Sequence, residues 1–215
     1  MTIKAVIFDF GGVFTTSPVE NFCIYERQHD LPARFIGGVI KNNHHANSWA
    51  RFERSEISID EFDELFAEET KAAGFEISGK TLVSLLALTL RPEMVSALRR
   101  VKSSGYKTGC ITNNLPQFDS TAMLAETGKA AEAKEILSLF DHVIESSKAG
   151  IRKPEPRIYE MMCEAFEVMP PACIFLDDLG INLKPARAMG MKTIKVPLGD
   201  ASPAIAELYA RLGGI

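Results

Sequence analysis

The chain has 215 residues, of which 46% are apolar and 24% charged, enough apolar material to bury a core in one domain or in a core with a small accessory domain. A formal charge of −4 and a pI near 5.7 carry no basic excess, so a nucleic-acid backbone is excluded as the expected partner. The longest apolar candidate, Leu82 to Leu90, is about half a membrane span, and Asp9 falls where a signal sequence needs apolar residues, so no membrane partner is expected either. Cys23, Cys110, Cys163 and Cys173 show neither CxxC nor metal-finger spacing, which predicts reduced thiols and a cytoplasmic compartment.

The first element is Ala5 to Phe8, four apolar residues rich in β-formers, read as a buried parallel strand that ends on the carboxylate of Asp9. Phe10, Gly11 and Gly12 follow, as for a chain leaving the carboxyl edge of a sheet, where open α/β folds place ligands. After a loop through Pro18 the pattern turns helical for about seventy residues, with Ser58-Ile-Asp-Glu61 reading as a capping box ahead of Ile59, Phe62, Leu65 and Phe66. An all-helical insert between the first strand and the first core helix belongs at the active-site edge, where a lid would sit. The expected organisation is a core of residues 1–16 and 92–215 with a helical cap over 17–91.

The core resumes at Arg91-Pro92, with Met94, Val95, Leu98 and Val101 on one helical face, and the strand Tyr106 to Ile111 delivers Thr112-Asn113-Asn114. A ragged helical stretch from Asp119 to Leu139 leads to a weaker strand at His142 to Ile144. Lys153-Pro-Glu-Pro156 opens a helix, and Cys173 to Leu176 is a strand ending in Asp177 and Asp178. A helix from Leu183 to Met189, a strand from Met191 to Val196 and a helix from Pro203 to Leu212 complete the chain. This alternation predicts an α/β fold with a doubly wound parallel sheet.

Parallel strands deliver their carboxyl ends to one edge, so Asp9, Thr112-Asn113-Asn114 and Asp177-Asp178 converge, with Lys153 at a helix start between the last two. Each residue type has a use in phosphoryl transfer. Carboxylates and a backbone carbonyl make a hard oxygen site for Mg²⁺, a carboxylate can attack phosphorus, and a hydroxyl, an amide and an ammonium can hold the phosphoryl oxygens. Lys153 read alone is a solvated lysine at a helix start; its Pro-x-Pro context favours a role in the site. Asn182 reads either as a partner of the metal site or as the N-cap of a helix at Leu183. His44 and His45 sit in a polar cluster that reads as surface loop or as substrate-facing, and Thr15, Thr16 and Ser17 read as the hinge between core and cap.

In order and spacing these pieces resemble the haloacid dehalogenase-like hydrolases, with a Rossmann-like core, across nearly the whole chain. The wording of Thr112-Asn-Asn, Phe140 to Ser146, Lys153 to Tyr159, Phe175 to Arg187 and Trp49 to Ser58 is similar to the N-terminal phosphatase domain of soluble epoxide hydrolase and to the related domain of acyl-CoA dehydrogenase family proteins. The resemblance implies Asp9 as nucleophile, Thr112, Asn113 and Lys153 on phosphate, and Mg²⁺ held by Asp9, the backbone carbonyl of Gly11 and Asp178. Asp177 and Asn182 then stand behind the metal site, and the implied substrate is a small organic phosphate. The oligomeric state is left open.

One departure matters. Phosphatases of this superfamily usually carry a second aspartate two residues after the nucleophile, to protonate the leaving oxygen and activate water; this chain has Gly11. General acid–base help is worth about 10²- to 10⁴-fold. Two other functions therefore stay open: a metal-independent carbon–halogen hydrolase of the same fold, disfavoured because uncompensated Asp177 and Asp178 would repel its attacking carboxylate, and a phosphate-binding regulatory module with negligible turnover, which Gly11 favours.

Overall fold

A computed structural model describes residues 2–86, 89–114 and 130–215. Strand β1 (Ala5–Phe8) is buried at every position, because its neighbours cover both of its faces. It pairs in parallel with β2 (Lys107–Thr112) on one side and β4 (Cys173–Asp177) on the other; β3 (His142–Glu145) and β5 (Lys192–Lys195) extend the two flanks. The order is β3-β2-β1-β4-β5. The chain winds outward from β1 to β3, then returns to the far side of β1 for β4, so the strand order reverses between β1 and β4. That reversal opens the crevice in which doubly wound sheets bind ligands.

Alternation along the strands sorts the core into two layers. Val6, Phe8, Cys110, Ile174 and Leu176 pack with Met94 and Leu98 of α6 (Pro92–Ser103) and with Leu208 of the C-terminal helix (Ser202–Arg211). Ala5, Ile7, Ile111 and Phe175 face the other way, onto Ile158, Met162 and Phe166 of the helix Pro156–Phe166 and Leu183 of the helix Gly180–Ala188. These runs read as unbroken apolar stretches because both faces of the sheet are covered.

Between β1 and α6 lie helices α1 (Pro18–Gln28), α2 (Phe35–Lys41), α3 (Ser48–Glu53), α4 (Ile59–Ala72) and α5 (Gly79–Ser84). They bury a cluster of their own, including Phe22, Ile36, Phe52, Phe62, Phe66 and Leu82. The expected capping box forms at Ser58 and Glu61 and starts α4. The chain leaves and re-enters the sheet side by side: Thr16 N donates to Thr89 O at 2.8 Å, Arg91 N donates to Phe14 O at 2.8 Å, and Thr15 bridges antiparallel to Leu90.

Two sequence expectations need revision. The helix after β4 begins at Gly180, with Leu179 in the N-cap position, so Asn182 lies within its first turn and caps nothing. Its backbone carbonyl accepts from the Tyr159 hydroxyl at 2.8 Å, which fixes that turn against the neighbouring helix. Of the helical stretch expected from Asp119 to Leu139, Ala130–Ser138 is helix and 119–129 lies outside the described residues. The helix expected to open at Lys153 begins at Pro156, which leaves Lys153 in the turn ahead of it, and the remaining strand and helix ends fall within a residue or two of their expected places. Cys110, Cys163 and Cys173 are buried and Cys23 half-buried, all four as free thiols.

Candidate active site

Asp9 is the first residue past β1 and still belongs to its ladder, its N–H donating to Leu176 O at 2.8 Å. Its side chain is thereby fixed beside the end of β4. Asp9, Asp177 and Asp178 are all buried, and each offers a carboxylate oxygen within 4.8 Å of the others. Lys153, only 1% exposed, bridges two of them: its Nζ lies 2.6 Å from Asp9 Oδ1 and 2.8 Å from Asp177 Oδ2. A lysine buried so deeply needs anionic partners, and two face it.

The main chain at Lys153 is held by Asn113. Asn113 Oδ1 accepts from Lys153 N at 2.9 Å, and Asn113 Nδ2 donates to Lys153 O at 3.0 Å. The loop after β2 thus aims the lysine, and Thr112, the last residue of that strand, is buried. Asn114 continues the brace, its N–H donating to Ser146 Oγ at 3.0 Å and its Oδ1 accepting from Ser147 N at 3.1 Å.

Asp177 and Asp178, adjacent in sequence, are placed for different work. Asp177 is saturated: besides Lys153, it accepts from Leu179 N at 2.8 Å and from Asn182 Nδ2 at 3.1 Å on both oxygens. Asn182 therefore orients Asp177. Asp178 accepts from Ser17 Oγ at 2.7 Å, a bond on Oδ2. The Asp178 carboxyl also requires Gly12. A Cβ there would stand 2.3 Å from Asp178 Cγ and Oδ2, and Gly12 has φ +75, a conformation that favours glycine. At Gly11, by contrast, a Cβ would meet nothing within 4 Å.

Three carboxylates against one ammonium leave the pocket short of positive charge. Burial drives the Asp9 carboxyl well above its usual range; Lys153 pulls it back, and Asp177 and Asp178 push with burial. Asp178 is pushed up to about 6 by burial and by Asp177, with the Ser17 hydroxyl opposing. Lys153 is held above its ordinary value, since Asp177 and Asp9 outweigh the burial that would strip its proton. Hard oxygen donors with surplus negative charge fit a divalent cation such as Mg²⁺.

Several contributors escape a reading of the sequence. Ser17 reads as hinge, and Gly12 only as half of a glycine pair. Glu53, at the end of α3, is buried against Arg152, the residue before Lys153; Arg152 Nη1 also donates to His44 O at 2.8 Å. His44 thus joins this contact through its backbone carbonyl, and its ring lies 3.8 Å from that of His45, which is exposed. No local signal marks Glu53, whose partner is brought in by folding.

Comparison with known proteins agrees with this fold. The mouse acyl-CoA dehydrogenase family member 10 is 34% identical over 215 residues, covering 98% of this chain, which spans 19% of that protein's length. The sesquiterpene phosphatase astK of Aspergillus oryzae is 29% identical over 213 residues, covering 99% of this chain and 98% of its own. A HAD family enzyme from Bacteroides thetaiotaomicron, solved with magnesium and inorganic phosphate, shares the fold with a TM-score of 0.58 at 20% identity, over 92% of this chain and 96% of that one. The family model for haloacid dehalogenase-like hydrolases matches residues 3–190, a span that holds every strand end described above except that of β5, and the chain belongs to that family.

Proposed function

We propose that the chain is a Mg²⁺-dependent phosphatase of small organic phosphates that works through an aspartyl-phosphate on Asp9, with residues 17–91 as its cap. The observation that carries this reading is the Lys153 ammonium set between Asp9 and Asp177, with Asp178 beside them. That lysine neutralises the nucleophile's surroundings and offers N–H donors to an incoming phosphoryl group. Asp9, the Gly11 carbonyl and Asp178 would hold Mg²⁺, whose chemistry there is to offset carboxylate charge and polarise phosphoryl oxygens.

In the first half-reaction an Asp9 carboxylate oxygen bonds to phosphorus as the bond to the leaving oxygen breaks, and the aryloxide or alkoxide departs with the electron pair and takes its proton from solvent. Thr112, Asn113 and Lys153 take the phosphoryl oxygens; the Asn113 amide is committed to Lys153, so its main-chain N–H is assigned that part. Water then cleaves the acyl phosphate and restores Asp9. A named phosphatase that aligns over nearly the full length of both chains supports this choice within the family.

Gly11 shapes the kinetics. With no carboxyl two residues after Asp9, the leaving oxygen departs unprotonated and the attacking water lacks a base, so aryl or acyl phosphates react while alkyl phosphates lag. Stopped-flow release of nitrophenol from p-nitrophenyl phosphate with Mg²⁺ should show a burst and a slow steady state. The open space at Gly11 admits a side chain, so Gly11→Asp should speed alkyl phosphate hydrolysis by about 10²-fold. Vanadate and phosphate binding without any burst would instead favour the regulatory-module reading.

A further inference from the structure

We propose that Glu53 is a positioning residue: through its buried pair with Arg152 it docks the helical layer on the sheet and holds Lys153 in line with Asp9. The kinetic part of this inference rests on the phosphatase reading; the structural part does not. Four contacts converge on three successive residues at the end of α3. Glu53 pairs with Arg152, and the Glu53 carbonyl accepts from Ser146 Oγ at 2.9 Å. Arg54 Nη1 lies 3.7 Å from Glu155 Oε1, and Ser55 Oγ donates to Ser147 O at 2.9 Å. All the partners on the sheet side lie between Ser146 and Glu155, the segment that follows β3 and carries Lys153.

Arg152 and Lys153 are consecutive, so their shared backbone is gripped from two directions. Asn113 holds it from the loop after β2, and Glu53 holds it from the helices. Both members of the ion pair are more than nine-tenths buried, with Arg152 8% and Glu53 4% exposed. A pair removed this far from water cannot part gradually: each charge, once unpaired, keeps its desolvation cost until the seam opens fully. The contact is therefore a two-position latch. Burial raises the Glu53 carboxyl, while Arg152 and then Lys153 oppose it, so the field of the site lysine reaches this residue. The paired segments at Phe14–Thr16 and Thr89–Arg91 tie the layer to the sheet at a second place.

The test is a cycle of Glu53→Gln, Arg152→Gln and the double variant on the full chain, read by hydrogen exchange and by steady-state kinetics with p-nitrophenyl phosphate and Mg²⁺. Each single variant should speed amide exchange over residues 48–56 and 146–155 by about tenfold and leave peptides from β1 and β4 unchanged. The kcat should fall by about tenfold, with Mg²⁺ affinity by calorimetry kept within about twofold. The double variant should lose no more than either single one, since the two act as a unit. Unchanged exchange in both segments, or losses that add in full, would overturn the proposal. If Glu53→Gln does not fold, Ser55→Ala strands no charge and should still raise exchange at both segments by about threefold; no change there overturns it as well. The exchange result needs no turnover, so it separates failure of the latch from failure of the phosphatase assignment.

Discussion

The carboxyl edge of the sheet and the seam against the helices are both buried and both charged, but they are assembled differently. At the edge, each carboxylate follows directly from a strand: β1 runs into Asp9 and β4 into Asp177 and Asp178. Strand pairing fixes where each carboxylate arrives before any side chain is placed, and Lys153 is brought to them from a loop. At the seam, Glu53 and Arg152 come from a short helix end and a loop, and they meet only because two separately packed clusters dock. The edge is rigid by topology, and the seam is rigid by complementarity. Loss of one charge should therefore leave the edge in place but incompetent, whereas at the seam it should change position itself.

The largest expected effect comes from removing the cation of the edge. Lys153→Met leaves Asp9 and Asp177 buried and facing each other without it. Phosphate release should fall by about 10³-fold, and urea unfolding should show a loss of about 3 kcal/mol or more. A variant that keeps wild-type stability would mean that the three carboxylates relax into separate places.

Gly12→Ala comes next. The added methyl occupies the position of the Asp178 carboxyl group and asks an L-residue to hold a positive φ. Asp178 must move, and Mg²⁺ affinity by calorimetry should drop by about 10- to 100-fold while the circular dichroism of the sheet is kept. Unaltered affinity would remove Asp178 from the set of metal ligands.

The smallest effect is a slope. Asp178 keeps its proton up to about 6 in the folded chain, against about 4 in an unfolded one, so the folded state binds more protons between those values. Without divalent metal, stability should therefore fall as pH rises through that window. Melting temperatures recorded from pH 4 to 7 in the presence of EDTA should show this decline, and Asp178→Asn should make it shallower, the raised carboxyls of Asp9 and Glu53 supplying the remainder. A melting temperature that climbs over the same range would show that the site is less buried than its surroundings indicate.

The same contrast explains what could be read from the chain alone. Asp9, Thr112, Asp177 and Asp178 were legible because an apolar run ending in a polar group marks a strand end, and parallel strand ends share an edge. Lys153 needed its proline context, and its two carboxylate partners are visible only once β1 and β4 lie side by side. Asn182 was legible as polar and near a helix start, but its two readings differ by a few residues in where that helix begins, and end positions are weakly encoded. Ser17, Glu53 and Arg152 were not legible in these roles. Each acts across a sequence gap of roughly ninety residues or more, and no periodicity or spacing records such a contact.

The side-by-side exit and return at Thr16 and Thr89 also has a meaning for ancestry. Because the two ends of the helical insert already touch, a short turn between them would leave every hydrogen bond of the sheet in place, with Ser17 and the Glu53–Ser55 contacts the main losses at the site. The sheet is thus a socket that accepts inserts of different length and shape without renegotiating its own hydrogen bonds. Selection can exchange the helices between Thr16 and Thr89 while the residues at the strand ends stay where they are.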